Sequence, residues 1–539
     1  MRRVILVGTV LGLLILAVPV TRHLAQQSGV VATPSPSKMI KPVAWVTPEV
    51  QERTWEQIDA AATAPAAAET AVVPFRSTLG DAEYARLKAI ANAPTGMEKP
   101  KFENPVPLHG VTGATAYVGG NQGDNGSVGQ PGWVPPDTEG TIGASQFVET
   151  ENNYINVYSK TGALLKHTSL TAFMGSSTNT FDSRVLWDNL WQRWVVTSDS
   201  FATGSGAQIF WEAISKTSSA TGTWWIYTID AHGLTGGGFW DYPSVGLQQD
   251  SIIFTANVFG GSHPGAWTYS VSKAQNYNGH TQGFAVFGGL IGTLQPPNII
   301  TTDLTGFAWL AAAPGGSGAI DLYAMENPSS PNNTLLFGPY AATGVAAYSL
   351  PPNAAQPSPC TAATDVLDSL DNRFQNASTQ NGDNLYQVHA VAVGSFPAVR
   401  YYVLSGLSSF APAVAESGTF WASATSYDWN PSIASDSAGE IVITWSSTDP
   451  TPGTNAQVRY VGKQSGDPVI TGAVGSALIT SGTCLTTSYD PNFGHQRWGD
   501  YSFVTVDPKT AKTFWIINED ILVTGSSNQW GSEFGKVHF

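Results

Sequence analysis

From about Trp133 onward the chain repeats one pattern of apolar and polar positions. An alternating run is followed by Asp, then a short turn, then a nearly unbroken apolar run. SRVLWDNLWQRWVVT begins at Ser183, PSVGLQQDSIIFTAN at Pro243, NIITTDLTGFAWLAA at Asn298, PSIASDSAGEIVITW at Pro431 and YSFVTVDPKTAKTFWIIN at Tyr501. Period-two runs bounded by Asp, Gly and Asn predict β-hairpins, with Asp188, Asp250, Asp303, Asp436 and Asp507 opening the turns by bonding nearby backbone. Two looser copies start at Asp137 and Asn372, the second turning at Asn-Gly-Asp. Each of the seven hairpins is followed by further strand-like pieces such as QIFWEAIS, AWTYSVS, AIDLYAME or VRYVGK. Two hairpins per unit, repeated seven times, predict an all-β fold: a seven-bladed β-propeller of four-stranded antiparallel blades over residues 111–539. Two stacked β-sandwiches are the alternative, but they do not require one motif to return throughout.

The N-terminus reads differently. Met-Arg-Arg precedes the uncharged run Val4–Val20, and Ala25 is a small residue in position for cleavage. Residues 1–25 therefore read as a secretory signal, with a single uncleaved anchor as the alternative. Residues 26–110 are Pro- and Ala-rich, and only GDAEYARLKAIANA, 80–93, has helical spacing. That segment reads as a mostly irregular linker or pro-segment with one short helix.

Composition changes the picture in two ways. Charged residues are only 12% of the chain, whereas Trp and Tyr number 18 each, as suits a turn-rich β protein. The formal charge of −15, with no basic stripe, argues against nucleic acid as a partner. Cys360 and Cys484 both follow the export signal, so a disulfide between them is expected, with two buried thiols as the alternative.

The segments ahead of the hairpins carry the candidate chemistry: WVPPDTEG, TFDSRV, GFWDYP, SLDNRF, YDWNP and HQRWGDY. In a propeller these positions meet at the mouth of the central channel. Asp137, Asp182, Asp241, Asp371, Asp428 and Asp500 would then gather there with Arg184, Arg373 and Arg497. Carboxylates and guanidiniums beside Trp240, Trp429, Trp498 and Tyr501 suit an extracellular polysaccharide or surface glycan, whose hydroxyls bond while its apolar faces stack. Capping of turns and packing between blades is the competing role for each of these residues.

For glycoside hydrolysis the candidate acids are Asp137, Glu139, Asp241 and Asp500. A polysaccharide lyase would instead use Tyr242, Tyr501, His495 or His389 as base, with Arg184 or Arg497 against a uronate. His389, between Val388 and Ala390, reads better as a core histidine. A carboxylate ring also offers oxygen ligands for Ca²⁺, as does Asp124 in the Gly-rich loop 119–132. No hydrolase elbow, zinc motif, phosphate loop or dinucleotide fingerprint is present.

PPDTEGTIG, DYPSVG and QRWGDYSFVTVDP resemble segments of a family of secreted bacterial β-propeller proteins. SIASDSAGEIVITW is similar to the Asp-box of sialidase-type propellers through Ser432, Asp436, Gly439 and Trp445. The resemblance implies a propeller over about 133–525. The chain lacks an Arg-Ile-Pro segment, so the sialidase arginine triad is not carried over. The expected function is an exported propeller acting on an extracellular polysaccharide; the alternative is a non-catalytic propeller that binds glycan or protein.

Overall fold

The computed structural model describes residues 32–62, 70–72, 76–100, 108–128, 132–202, 206–300, 306–316, 318–524 and 527–539. The expected signal segment lies outside them, as does Asp303. Among the described residues no helix is long and apolar enough to cross a membrane.

The architecture is mostly antiparallel β. Among the described residues, seven sheets of four to six strands follow one another along the chain, with two small two-stranded sheets besides. The innermost strands of sheets 1–7 are Glu139–Ile142, Thr180–Asp188, Phe239–Leu247, Leu294–Gln295, Ser378–Asn381, Tyr427–Ser435 and Phe503–Val506, with Pro297–Ile299 beside Ser378–Asn381 in sheet 5. The expected hairpins form in six of the seven places. Asp188, Asp436 and Asp507 open their turns as predicted, each accepting two backbone N–H groups through one carboxylate oxygen. The hairpin expected at Asn298 is different. Phe307–Ala312 pairs with Leu294–Gln295, while Pro297–Ile299 crosses to sheet 5 and runs parallel to Ser378–Asn381. Pro296 and Pro297 explain the shift: neither has an N–H for a continuous antiparallel ladder.

The apolar faces are buried between successive sheets. Val148 and Val157 meet Trp187 and Trp194 between sheets 1 and 2; Phe210 meets Trp240 and Phe254 between sheets 2 and 3. The pattern continues with Phe287 and Leu310, Trp309 and Tyr402, Val399 and Trp445, and Val458 and Phe514. It returns to sheet 1 through Phe147 stacked on Phe534 at 4.3 Å. The inner strands thus bury both faces, which is why their runs read as nearly continuous hydrophobic stretches.

The N-terminal region carries more structure than its composition predicts. Met39–Ile40, Ala44–Val46 and Glu49–Arg53 add outer strands to sheets 4, 3 and 2 in turn. Their backbone groups complete edges that would otherwise be open, so few apolar side chains are needed. Thr112–Asn121 is the outer strand of sheet 7, pairing with Ser527–His538. The helix Asp81–Asn92 forms where its spacing predicts, within one residue or so of each end.

Cys360 and Cys484 form a disulfide across 124 residues. Closing a loop of that length should contribute about 4–5 kcal/mol by chain entropy. Cys360→Ser/Cys484→Ser is therefore expected to melt well below the oxidised parent; equal melting temperatures would show that the unfolded chain is already restrained.

Candidate functional site

Groups near the starts of the inner strands, with Asn152 from a turn of sheet 1, link the seven sheets in a circuit of hydrogen bonds that Asn152 Nδ2 completes by donating to Asp137 Oδ2. Asp182 N donates to Asn152 Oδ1, Tyr242 N to Asp182 Oδ2, and Ser244 Oγ to Gln295 Oε1. Gln295 Nε2 then donates to Phe374 O, Gln375 Nε2 to Asn430 Oδ1, and Asn430 Nδ2 to Tyr501 O. Asp500 N donates to Asp137 Oδ1 at 2.8 Å.

The local device is a bulge with a left-handed residue. Register shifts fall between Phe181 and Arg184, Asp241 and Ser244, and Trp429 and Ser432. Asp182, Tyr242 and Asn430 sit inside these bulges at φ of 50°, 56° and 49°, and Asp137 takes 55° ahead of sheet 1. A side chain at positive φ is strained, and bonds from the adjacent sheet hold each one there. Asp and Asn tolerate this region best, a cue the sequence does carry at Asp137, Asp182 and Asn430. Tyr242 carries none.

The axis is spanned by side chains. Arg184 donates to Glu139 Oε2 in sheet 1, Pro243 O in sheet 3, and Asn376 Oδ1 and Gln375 O ahead of sheet 5. Its guanidinium lies 3.2 Å from the Tyr501 ring centre. Tyr242 Oη donates to Asp500 O at 3.2 Å, and its ring meets Tyr501 edge-on at 4.9 Å.

The candidate acids lie together, and under cover. Asp137, Glu139, Asp182, Asp241 and Asp500 are all buried. Burial, then the nearby Asp182, pushes Asp137 up to about 7 against the pull of Arg497. Burial pushes Glu139 up to about 7 although Arg184 opposes it. Burial and Asp137 take Asp500 to about 7 against Arg497 and Arg373. Asp182 and Asp241 are raised too, by burial first. Asp371 goes the other way: burial is overcome by the two bonds it accepts from Arg373 Nε and Nη2, both 2.8 Å. Arg497 bonds Asp500 Oδ1 at 3.0 Å and lies 3.5 Å from Asp368 and 3.8 Å from Asp490.

The remaining candidates fare unequally. Burial pushes the Tyr242 and Tyr501 phenols well above 10, so neither serves as a base near neutral pH. His389 is a core histidine: it is fully buried, both ring nitrogens are engaged, and desolvation lowers it to about 3. His495 is anchored through Nδ1 to Phe493 O, with Nε2 3.8 Å from Asp368. Trp240, Trp429 and Trp498 pack inside apolar clusters, and Trp498 meets Trp429 edge-on at 5.3 Å. They brace the sheets from within and present no open stacking surface. Among the described residues, no three His, Cys, Asp or Glu side chains form a group fit for a metal ion. Asp124 instead caps a short helix, Gln122–Ser127, by accepting from Asn121 N.

Sequence reasoning missed what lies on top. Residues 76–99 cross the face where the inner strands begin. Arg76 stacks on Phe239 at 3.8 Å and lies 4.0 Å from Asp241. Lys88 donates to Pro351 O, Ser369 Oγ and Leu370 O. Lys99 pairs with the buried Asp428 at 3.0 Å. Tyr84 packs with Leu350 and Leu370. Four basic residues within 24 positions, Arg76, Arg86, Lys88 and Lys99, were the available cue, and all but Arg86 reach this face; a Lys in a Pro-rich segment ordinarily reads as a solvated charge.

No family model and no curated protein matches the chain. Among solved structures, it is similar to an exo-β-1,3-galactanase from Phanerochaete chrysosporium, at 12% identity over 79% of this chain and 96% of that one, with a TM-score of 0.29. A subtype N10 neuraminidase-like protein of A/little yellow-shouldered bat/Guatemala/060/2010 aligns at 8% identity over 61% and 95%, TM-score 0.35. A GH43 endo-arabinanase from Bacillus licheniformis aligns at 12% over 52% and 92%, TM-score 0.25. Likenesses this distant carry no argument about what this chain binds or does.

Proposed function

We propose that this is an exported seven-bladed β-propeller acting on an extracellular polysaccharide, and that residues 76–99 are a strap holding it latent. The cyclic hydrogen bonding and cyclic packing support the propeller, and the disulfide suits an oxidising compartment. One observation carries the chemistry. Asp241 and Asp500 lie with Asp182, Arg373 and Arg497 in a desolvated cluster that keeps carboxyl protons near neutral pH. Glycoside hydrolysis needs one protonated and one ionised carboxyl around the scissile bond. Asp137 and Asp182 accept backbone N–H groups from the adjacent sheets, so Asp241 and Asp500 are the working pair. The raised phenols remove Tyr242 and Tyr501 as the base that β-elimination needs.

The test uses the full chain with the strap loosened by Arg76→Ala/Tyr84→Ala, incubated with a polysaccharide panel and read for reducing ends and unsaturated uronate. Reducing ends without uronate absorbance are expected. Asp241→Asn and Asp500→Asn in that background should each cut turnover about 100-fold or more, with melting shifted by no more than about 3 °C. Binding by calorimetry with no product would make the protein a glycan-binding propeller. Unfolding of both Asn variants would assign the cluster to architecture.

A further inference from the structure

A second group of polar side chains lies away from the axis, on sheet 1. Its strands Gln146–Glu151, Tyr154–Ser159 and Leu164–Ser169 are adjacent, and their registers put Glu149, Asn156 and His167 in one row. The row ends at Ser127, the last residue of the helix Gln122–Ser127, which is exposed. Ser127 Oγ lies 2.8 Å from His167 Nε2, and His167 Nδ1 lies 2.6 Å from Asn156 Oδ1. Asn156 Nδ2 donates to Glu149 Oε2 at 2.8 Å and to Tyr158 Oη at 2.9 Å.

These bonds determine which nitrogen carries the proton. Glu149 accepts from Gly120 N, Tyr158 Oη and Ser532 Oγ, so its carboxylate is anchored. Turning the Asn156 amide over would set its oxygen against that carboxylate. Asn156 Oδ1 therefore faces the imidazole, and Nδ1 must hold the hydrogen it accepts. Nε2 is left with its lone pair towards Ser127 Oγ–H. The groups facing His167 are Asp124 and Glu149, which favour its protonation, and the Tyr154 ring edge-on at 5.5 Å. Desolvation outweighs them and lowers His167 below 6.5, which keeps it neutral at pH 7. Ser127 Oγ also lies 2.7 Å from Asp124 O, the acceptor its hydrogen uses whenever the imidazole is protonated.

We propose that Ser127, His167 and Asn156 form a nucleophile–base–positioning relay that hydrolyses short-chain carboxylic esters. Ser127 Oγ attacks the acyl carbon while His167 Nε2 takes its proton. The bond from the acyl carbon to the alkoxy oxygen breaks, and the alkoxide leaves as alcohol with that proton. Water then attacks the acyl-serine through the same base, releasing the carboxylic acid and restoring Ser127. An ester is the expected class because an alkoxide leaves more readily than an amide nitrogen. A short acyl chain is expected because Ser127 lies at the surface, while the apolar residues nearby, Val128, Val134, Tyr154 and Trp530, are buried. Asn156 acts through His167 and is a positioning residue.

The experiment treats the full chain with a fluorophosphonate probe, locates the adduct by peptide mass spectrometry, and follows p-nitrophenyl acetate hydrolysis against pH. The adduct is expected on Ser127. Ser127→Ala and His167→Gln should each lower hydrolysis about 100-fold or more with folding intact by circular dichroism. Asn156→Asp sets a second carboxyl against Glu149 and should lower turnover, while the acid limb of the pH profile moves upward because a nearby carboxylate stabilises the imidazolium. An adduct elsewhere, labelling without turnover, or parental hydrolysis by Ser127→Ala would overturn the proposal. None of these outcomes depends on the axial cluster.

Discussion

Arg184→Met is expected to destabilise the protein by about 5 kcal/mol or more, because no nearby group can replace what the guanidinium does. The side chain makes bonds to Glu139, Pro243 O, Asn376 and Gln375 O, and stacks on Tyr501. Removing it leaves a buried carboxyl, two buried backbone carbonyls and the Asn376 amide oxygen without this partner. Each such orphan costs about 1–3 kcal/mol, and loss of one member of a buried ion pair about 3–5. Methionine fills much of the volume, so the loss is not a cavity effect. Arg184→Lys keeps the charge and loses the planar fork, and should fall between parent and Met. Urea unfolding checks the series. A midpoint for Arg184→Met close to the parent would mean that the circuit at the axis does not hold the sheets together.

Stability should fall as pH rises from about 5 to about 8. Asp137, Glu139 and Asp500 titrate near 7 in the folded chain, against 3.8, 4.5 and 3.8 as ordinary values. Between these limits the folded state binds more protons than the unfolded one. The stability such groups contribute is complete below about 4 and is lost through 7. One unit corresponds to about 1.4 kcal/mol, so each group accounts for roughly 2–3 kcal/mol between pH 5 and 7. Glu151, Asp199 and Glu519, raised well above their ordinary values by burial, act in the same direction. Asp371 and Asp507 are lowered, the first mainly by Arg373 and the second mainly by Lys160, so their contribution is lost as pH falls through and below about 4. The optimum is therefore mildly acidic. Melting temperatures at pH 5, 6, 7 and 8 read it directly, and a rise across that series would contradict the desolvated cluster.

Much of this was legible in the chain. The turn aspartates Asp188, Asp436 and Asp507 act within a few residues of themselves, so spacing alone identifies them. The hairpin at Asn298 misled because Pro296 and Pro297 redirect the strand through the partner it joins, and pairing partners are not local. The gathering of Asp241, Asp500, Arg373 and Arg497 followed from their common place ahead of the inner strands. Their burial did not, since it depends on Arg184, Tyr242 and Tyr501 meeting at the axis.

By itself the sequence determined the strand periodicity, the turns and the helix 81–92, because each rests on backbone propensities and alternation over short stretches. Tertiary structure alone decided that the axis is filled, that residues 76–99 cover the acids, and that Ser127 faces His167. Those facts require groups tens to hundreds of positions apart to exclude water from one another, and desolvation is a property of the packed molecule.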